Sequence, residues 1–255
     1  MLAQSSWVCA PGYPIRSPEK LPAGALSMLD PLNLMDKFSV EKAERMQRAL
    51  SKMVITHDCL PSKIRYIAGV DVSYSNEKSY GAAVVLDYVV MKVIEEKTAV
   101  KKTPLPYIPT FLAFRELPAA ISAVQKLEVK PDVFMIDGHG QAHPRRLGLA
   151  SHFGLIVDAP TIGVAKNLLC GKIMDIGDEW RPIVDGDEII GAAVFSGRSK
   201  RPIYVSVGHK ISLESAIKIV LNCVKYRIPE PIRFAHVAAE NAKRKNRISK
   251  NSLSS

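Results

Sequence analysis

Residues 133–137, VFMID, are apolar until an aspartate closes the run, with Pro131 before it and Gly138 after it. Four consecutive apolar residues without alternation suit a strand buried on both faces, and such a sheet needs helices on each side. A second β-rich run, IRYIAGVDVSY (64–74), is again apolar around one acid, Asp71. GAAVVLDYVVMKVIEEKTAV (81–100) is long enough for two strands, and the polar SNEKSYG that ends in Gly81 reads as a turn before it. These segments predict an antiparallel meander. KTPLPYIPT (102–110) is excluded from a sheet interior because Pro104, Pro106 and Pro109 fix φ and remove donors.

Helices are expected between and after the strands. Ser39 is a good N-cap, and Val40, Ala43, Met46, Leu50 and Met53 keep helical spacing behind it. A helix is expected over about 111–127, split or kinked at Pro118, and another over 145–154. A strand near 159–164 and a short helix at 165–170 follow, then two strands joined at Asp185-Gly186, a hairpin signal. PIYVSVG (202–208) is a further strand. Ser212 caps a helix with Leu213, Ile217, Val220, Leu221 and Val224 on one face, and a last helix covers about 230–247. The order predicts an α/β fold, a mixed β-sheet flanked by helices, in one domain over 35–248. Residues 1–34 are expected to be a poorly ordered or non-native extension, with the native start at Met28 or Met35, and 249–255 a disordered tail.

The net charge of +10 suits a polyanionic partner such as nucleic acid. It is uneven: after Glu240 no acid follows, while Lys243, Arg244, Lys245, Arg247 and Lys250 do. Such a stretch is either a solvated tail or a phosphate-contacting one. No apolar run reaches the ~18 residues of a membrane span, and the N-terminus lacks the order of a secretory signal. A cytoplasmic monomer is the expectation. Cys9, Cys59, Cys170 and Cys223 are scattered with no metal-ligand spacing, as free thiols in a reducing compartment would be.

Asp71 and Asp137 stand out because a carboxylate among apolar strand residues is costly unless it caps, pairs or binds a cation. Strand ends of α/β sheets are where ligands gather, and Mg²⁺ keeps several waters, so two or three carboxylates from different elements suffice. Glu116, in FLAFRELP, reads on composition alone as an exposed helical acid.

Four segments carry a resemblance to a known family: AGVDVSY (68–74), PYIPTFLAFRELP (106–118), DVFMIDGHGQAHPRRLGLASHFG (132–154) and PTIGVAKNLLCG (160–171). Over roughly 35–245 the chain resembles endonuclease V, the repair nuclease acting on deaminated bases. The resemblance implies a ribonuclease H-like fold in which Asp71, Glu116 and Asp137 converge on Mg²⁺, with Mn²⁺ as a substitute. It places Lys166 near the phosphate, and His236 where it would order the attacking water or approach the metal, Glu240 being the fallback. It makes Tyr107, between Pro106, Ile108 and Pro109, a wedge for the gap left by a flipped base. Gly138 and Gly140 would let backbone approach that base, Leu112 and Leu149 would wall its pocket, and His139, His143 and His152 would touch substrate or order loops. The implied reaction cuts the second phosphodiester bond 3′ to inosine in DNA, leaving 3′-OH and 5′-phosphate. A preference for RNA, or nucleic-acid binding without catalysis, are the alternatives. Thr110 stands where the family often has glycine, which puts the shape of the base pocket in question.

Overall fold

In a computed structural model of the chain, the residues described are 14–16, 38–75, 77–196 and 201–251. The expected starts at Met28 or Met35, Cys9 and residues 252–255 lie outside them. Within the expected extension, Arg16 is docked: its N–H donates to Ile156 O at 2.7 Å and its guanidinium meets Asp158 at 2.9 Å.

The strands are β1 (Tyr66–Ser75), β2 (Lys78–Asp87), β3 (Val93–Lys102), β4 (Val133–Asp137), β5 (Thr161–Ala165), β6 (Lys172–Ile173), β7 (Trp180–Asp185), β8 (Glu188–Val194) and β9 (Ile203–His209). The helices are α1 (Val40–Ser51), α2 (Leu112–Val124), α3 (Leu149–Val157), α4 (Leu213–Cys223) and α5 (Glu230–Asn251). All nine strands form one sheet in the order β3-β2-β1-β4-β5-β9-β8-β7-β6. The β1–β4 and β4–β5 pairs are parallel and the others antiparallel. The expected mixed sheet flanked by helices, ribonuclease H-like, is the fold observed. No helix among the described residues is long and apolar enough to cross a membrane.

The run that opened the sequence explains the layering. Phe134 and Ile136 of β4 pack with α2 and α3 on one face, while Val133 and Met135 pack with α4 and α5 on the other. Burial on both faces is what removed any alternation from VFMID. Two glycines bring helix backbone directly onto strand. A Cβ on Gly69 would lie 1.9 Å from Pro231 O of α5, and one on Gly81 would lie 2.2 Å from Ala119 O of α2. Ser39 and Ser212 cap their helices as expected, accepting from Lys42 N at 3.4 Å and Ser215 N at 3.1 Å. Cys59, Cys170 and Cys223 are free thiols.

Some local expectations differ from the structure. SNEKSYG is not a seven-residue turn; the strands run on to Ser75 and from Lys78, leaving only 76–77 between them. Pro118 sits inside an unbroken α2. The helix expected from 145 begins at Leu149, because Arg146 adopts φ 54° and Gly148, its N-cap, is extended. No helix forms at 165–170. The carbonyls it would need are taken by distant side chains, Arg227 on Lys166 O at 3.2 Å and His139 on Asn167 O at 2.9 Å. In α1 the buried residues are Ala43, Gln47 and Leu50, whereas Val40 is exposed.

Candidate active site

The parallel register of β1 and β4 sets Val70 beside Ile136, so Asp71, midway along β1, lies next to Asp137 at the C-terminal end of β4. β5 pairs Val164 with Asp137, and Lys166 follows just past the end of that strand. α2 brings Glu116 from one face of the sheet, and α5 brings His236 from the other. Four hydrogen bonds fix the group. Lys166 Nζ donates to Asp137 Oδ2 at 2.5 Å, and Tyr74 Oη donates to Glu116 Oε1 at 2.8 Å. His236 Nδ1 lies 2.7 Å from Asp71 Oδ2, and Val72 N donates to Asp71 Oδ1 at 2.8 Å. Arg115 lies over the Tyr74 ring at 4.2 Å and donates to Leu105 O at 2.6 Å, tying α2 to the proline-rich loop. Glu240 points elsewhere, accepting from Ser73 Oγ at 2.6 Å and from Lys243.

Crowding shows in the acidities. Burial pushes Glu116 up to about 8; the Tyr74 hydrogen bond opposes this, and the charges of Asp71 and Asp137 add to it. Burial, then Asp71, also raises Asp137, against the pull of Lys166 and His236. Burial works against the Lys166 ammonium, yet Asp137 outweighs it and holds that lysine above its usual value. Three acids crowd together with Lys166 as their cationic partner, and each raises the cost of ionising its neighbours, so a bound cation would relieve them. Among the described residues no three acid, histidine or cysteine side chains close into a ready-made metal cage. The donors are nevertheless hard carboxylate oxygens, which fit a Mg²⁺-type ion that keeps most of its own waters.

A cavity of about 370 Å³ opens beside the acids and shares Asp137 and Lys166 as lining. Tyr107, Leu112, Gly138, His139, His143 and Leu149 also line it. Of the other expected substrate residues, Pro106 and Pro109 are exposed on the loop, and Ile108 packs on Ala43, Phe111 and Phe114. Gly140 is not among the lining residues: a Cβ there would lie 2.0 Å from Val207 O, so its smallness serves packing against β9. His152 is also away from the cavity, buried edge-on to Phe114 at 5.6 Å, with its pKa pushed down to about 4 by burial. His139 holds Asn167 O and so orders the loop after β5.

Sequence reasoning did not find the support beneath the cavity. Thr110 adopts φ 68°, a genuine outlier for a β-branched residue. Its carbonyl receives Gln47 Nε2 at 3.0 Å and His143 Nε2 at 2.9 Å, and its hydroxyl receives Arg145 Nη2 at 2.5 Å. Burial pushes His143 down to about 4, so the ring is neutral at pH 7; Nδ1 accepts from Arg145 N at 3.2 Å, which leaves the proton on Nε2 to donate to Thr110. Arg145 also donates to Gln47 Oε1 at 2.6 Å and pairs with Glu44 at 3.0 Å. A buried glutamine in an otherwise amphipathic helix was the available signal. Leu168 and Leu169, further lining residues, had only their apolar character after Lys166 to mark them.

By sequence and by fold the chain is similar to known proteins. The family model described as endonuclease V matches residues 48–237. The curated endonuclease V of Rippkaea orientalis is 46% identical over 209 residues, covering 80% of this chain and 91% of that protein. The crystal structure of endonuclease V from Streptomyces avermitilis is 37% identical with a TM-score of 0.77, covering 82% of this chain and 95% of that one. Ciona intestinalis endonuclease V, solved with a 24mer DNA containing an inosine followed by a ribo-adenosine, is 34% identical with a TM-score of 0.72, covering 81% and 98%.

Proposed function

The chain belongs to the endonuclease V family and is a nuclease acting on phosphodiester bonds; from that premise we propose that it cuts strands carrying deaminated bases, inosine first among them. The bond cleaved is the second phosphodiester 3′ to the lesion, leaving 3′-OH and 5′-phosphate. One observation carries this reading: the cavity shares Asp137 and Lys166 with the acidic cluster, and the exposed Tyr107 stands at its rim. A base seated there leaves its own strand beside the acids. The Ciona relative bound to inosine-containing DNA supports the same reading.

Asp71, Glu116 and Asp137 are the residues that would hold Mg²⁺, with Mn²⁺ as substitute. When bound, such an ion withdraws charge from the scissile phosphate and acidifies a water. The rest falls to side chains. Lys166 is a compact cation held on Asp137 and offsets charge that builds on the phosphate. His236, anchored to Asp71, orients the attacking water, and Tyr74 steadies Glu116. Tyr107 occupies the gap a flipped base leaves; Pro106 and Pro109 stiffen its loop and reduce the entropy lost in presenting the ring. Leu112 and Leu149 wall the base, and Gly138 admits it.

The test is strand nicking of an oligonucleotide with one inosine, with Mg²⁺ present, beside the undamaged control and a matched RNA. Cleavage confined to the inosine strand is the expected result; no cleavage of either substrate would sink the proposal. The ribo-adenosine in the Ciona complex is why RNA belongs in the comparison. Asp137→Ala is expected to abolish cutting while binding survives, whereas a protein that only binds would show no cutting before or after.

A further inference from the structure

Several cations on this surface are paired with acids. Lys97 meets Glu95 and Glu128, Arg145 meets Glu44, Arg146 meets Asp185 and Glu188, and Arg181 meets Asp175. One region instead sets two cations against each other. Lys78 and Lys102 face each other directly across β2 and β3. Like charges opposite one another destabilise a strand pair. Among the described residues neither Lys78 nor Lys102 has a carboxylate within ion-pair distance.

The second half of α5 lies against the same corner. Asn246 Oδ1 accepts from Tyr80 Oη at 3.1 Å and from Lys78 Nζ at 3.5 Å. The corner is therefore reached by the last turns of α5, whose exposed Arg247 lies about three turns beyond His236 on the same helix face, with the exposed Arg244 about one turn before it. They too have no carboxylate partner among the described residues, since Glu240 is taken by Ser73 and Lys243. The corner is continuous with the active site on two sides. α5 leads back to His236, and Lys102 leads through Thr103–Pro106 into the Tyr107 loop. At ~1.5 Å per residue, Arg244 and Arg247 stand roughly 12 and 16 Å from His236 along the helix. A duplex strand advances ~3.4 Å per nucleotide, so that span is about four to five nucleotides.

We propose that Lys78, Lys102, Arg244 and Arg247 form a second nucleic-acid contact that grips the phosphate backbone of the substrate about four to five nucleotides from the cut. It rests on the nucleic-acid reading above and extends it to the flank of the substrate. The unopposed lysine pair is explained by it: a fold gains nothing from two facing ammonium groups, while a polyanion crossing between them neutralises both. The contact reads no base and sets affinity, salt dependence and the length of strand required.

The experiment measures binding of the full chain to a long undamaged duplex, and to the matching single strand, by fluorescence anisotropy between 50 and 200 mM salt. Arg244→Ala with Arg247→Ala is expected to lower the slope of log affinity against log salt by about 1.8 on duplex and about 1.4 on single strand. The wild type then loses about tenfold more duplex affinity than the variant across that range. On an inosine oligonucleotide ending about three nucleotides either side of the lesion, nicking by wild type and variant is expected to be equal. An unchanged slope would overturn the proposal, as would equal loss on the short and long substrates. Lost binding to phosphatidylserine vesicles with the DNA slope intact would assign the surface to a membrane instead, which also overturns it. Lys78→Ala with Lys102→Ala, folded by its melting curve, provides the second variant and should repeat the slope change. The binding arm uses neither inosine nor cleavage, so a failure of the lesion reading leaves its outcome unaffected.

Discussion

Replacing Gly69 with alanine sets a methyl carbon 1.9 Å from Pro231 O, 2.2 Å from Pro231 C and 3.0 Å from Ile232 N. All three are backbone atoms of α5, so no side-chain rotation relieves the clash. Ordinary van der Waals contact starts near 3.4 Å, and α5 must therefore retreat from β1 by roughly 1.5 Å at this point. His236 lies five residues further along the same helix and is held to Asp71 at 2.7 Å. A retreat of that size takes the pair to about 4 Å, beyond hydrogen-bond range. Overpacking of this kind costs about 1–3 kcal/mol, and a ~1 Å misplacement of a positioned group costs about 10²-fold in rate. Gly69→Ala is thus expected to lower the urea midpoint and to slow single-turnover nicking of an inosine oligonucleotide about a hundredfold. Gly186→Ala is the control: it has φ +64° and nothing within 4 Å, so it should cost about 1 kcal/mol of stability and leave the nicking rate unchanged. Wild-type stability and rate in Gly69→Ala would refute the argument that α5 rests on β1 backbone and carries His236 into place.

Tyr107→Ala should leave the melting temperature unchanged, since the side chain is 66% exposed, while reducing nicking at inosine by at least tenfold; equal activity would remove the ring from base recognition. Thr110→Gly relieves a strained φ of 68° but forfeits the hydroxyl bond to Arg145, so stability should change by less than about 1 kcal/mol while KM for the inosine strand rises; an unchanged KM would show that the clamp does not set the cavity. His143, His152 and His209 are each depressed by burial from 6.5 to about 4, so the unfolded chain binds protons in that interval that the folded chain does not. Stability should be fully present above pH 6.5 and fall as pH drops toward 4; urea midpoints at several pH values test this, and His152→Leu should flatten the fall.

Asp71 and Asp137 were legible because the clue is local: an acid inside an apolar strand needs a reason within a few residues of chain. Strand and cap positions were legible on the same ground, as with VFMID, Ser39 and Ser212. Glu116, by contrast, looks like any helical acid, and only the family resemblance singled it out. The absent helix at 165–170 was misread because Arg227 and His139 take its carbonyls from far along the chain. Thr110 was noticed as a departure, yet its strain and the Gln47, His143 and Arg145 bonds that hold it depend on α1 and the 143–148 loop closing on it. The two strand acids show the division most clearly. Residue by residue, the chain determines that each is unpaired within its own strand, through propensity and burial that act over one or two turns. The parallel register of β1 on β4, the backbone seat of α5 on Gly69 and the reach of α2 bring them to one point. Those are contacts across 40 to 165 residues of chain, and only the folded packing decides them.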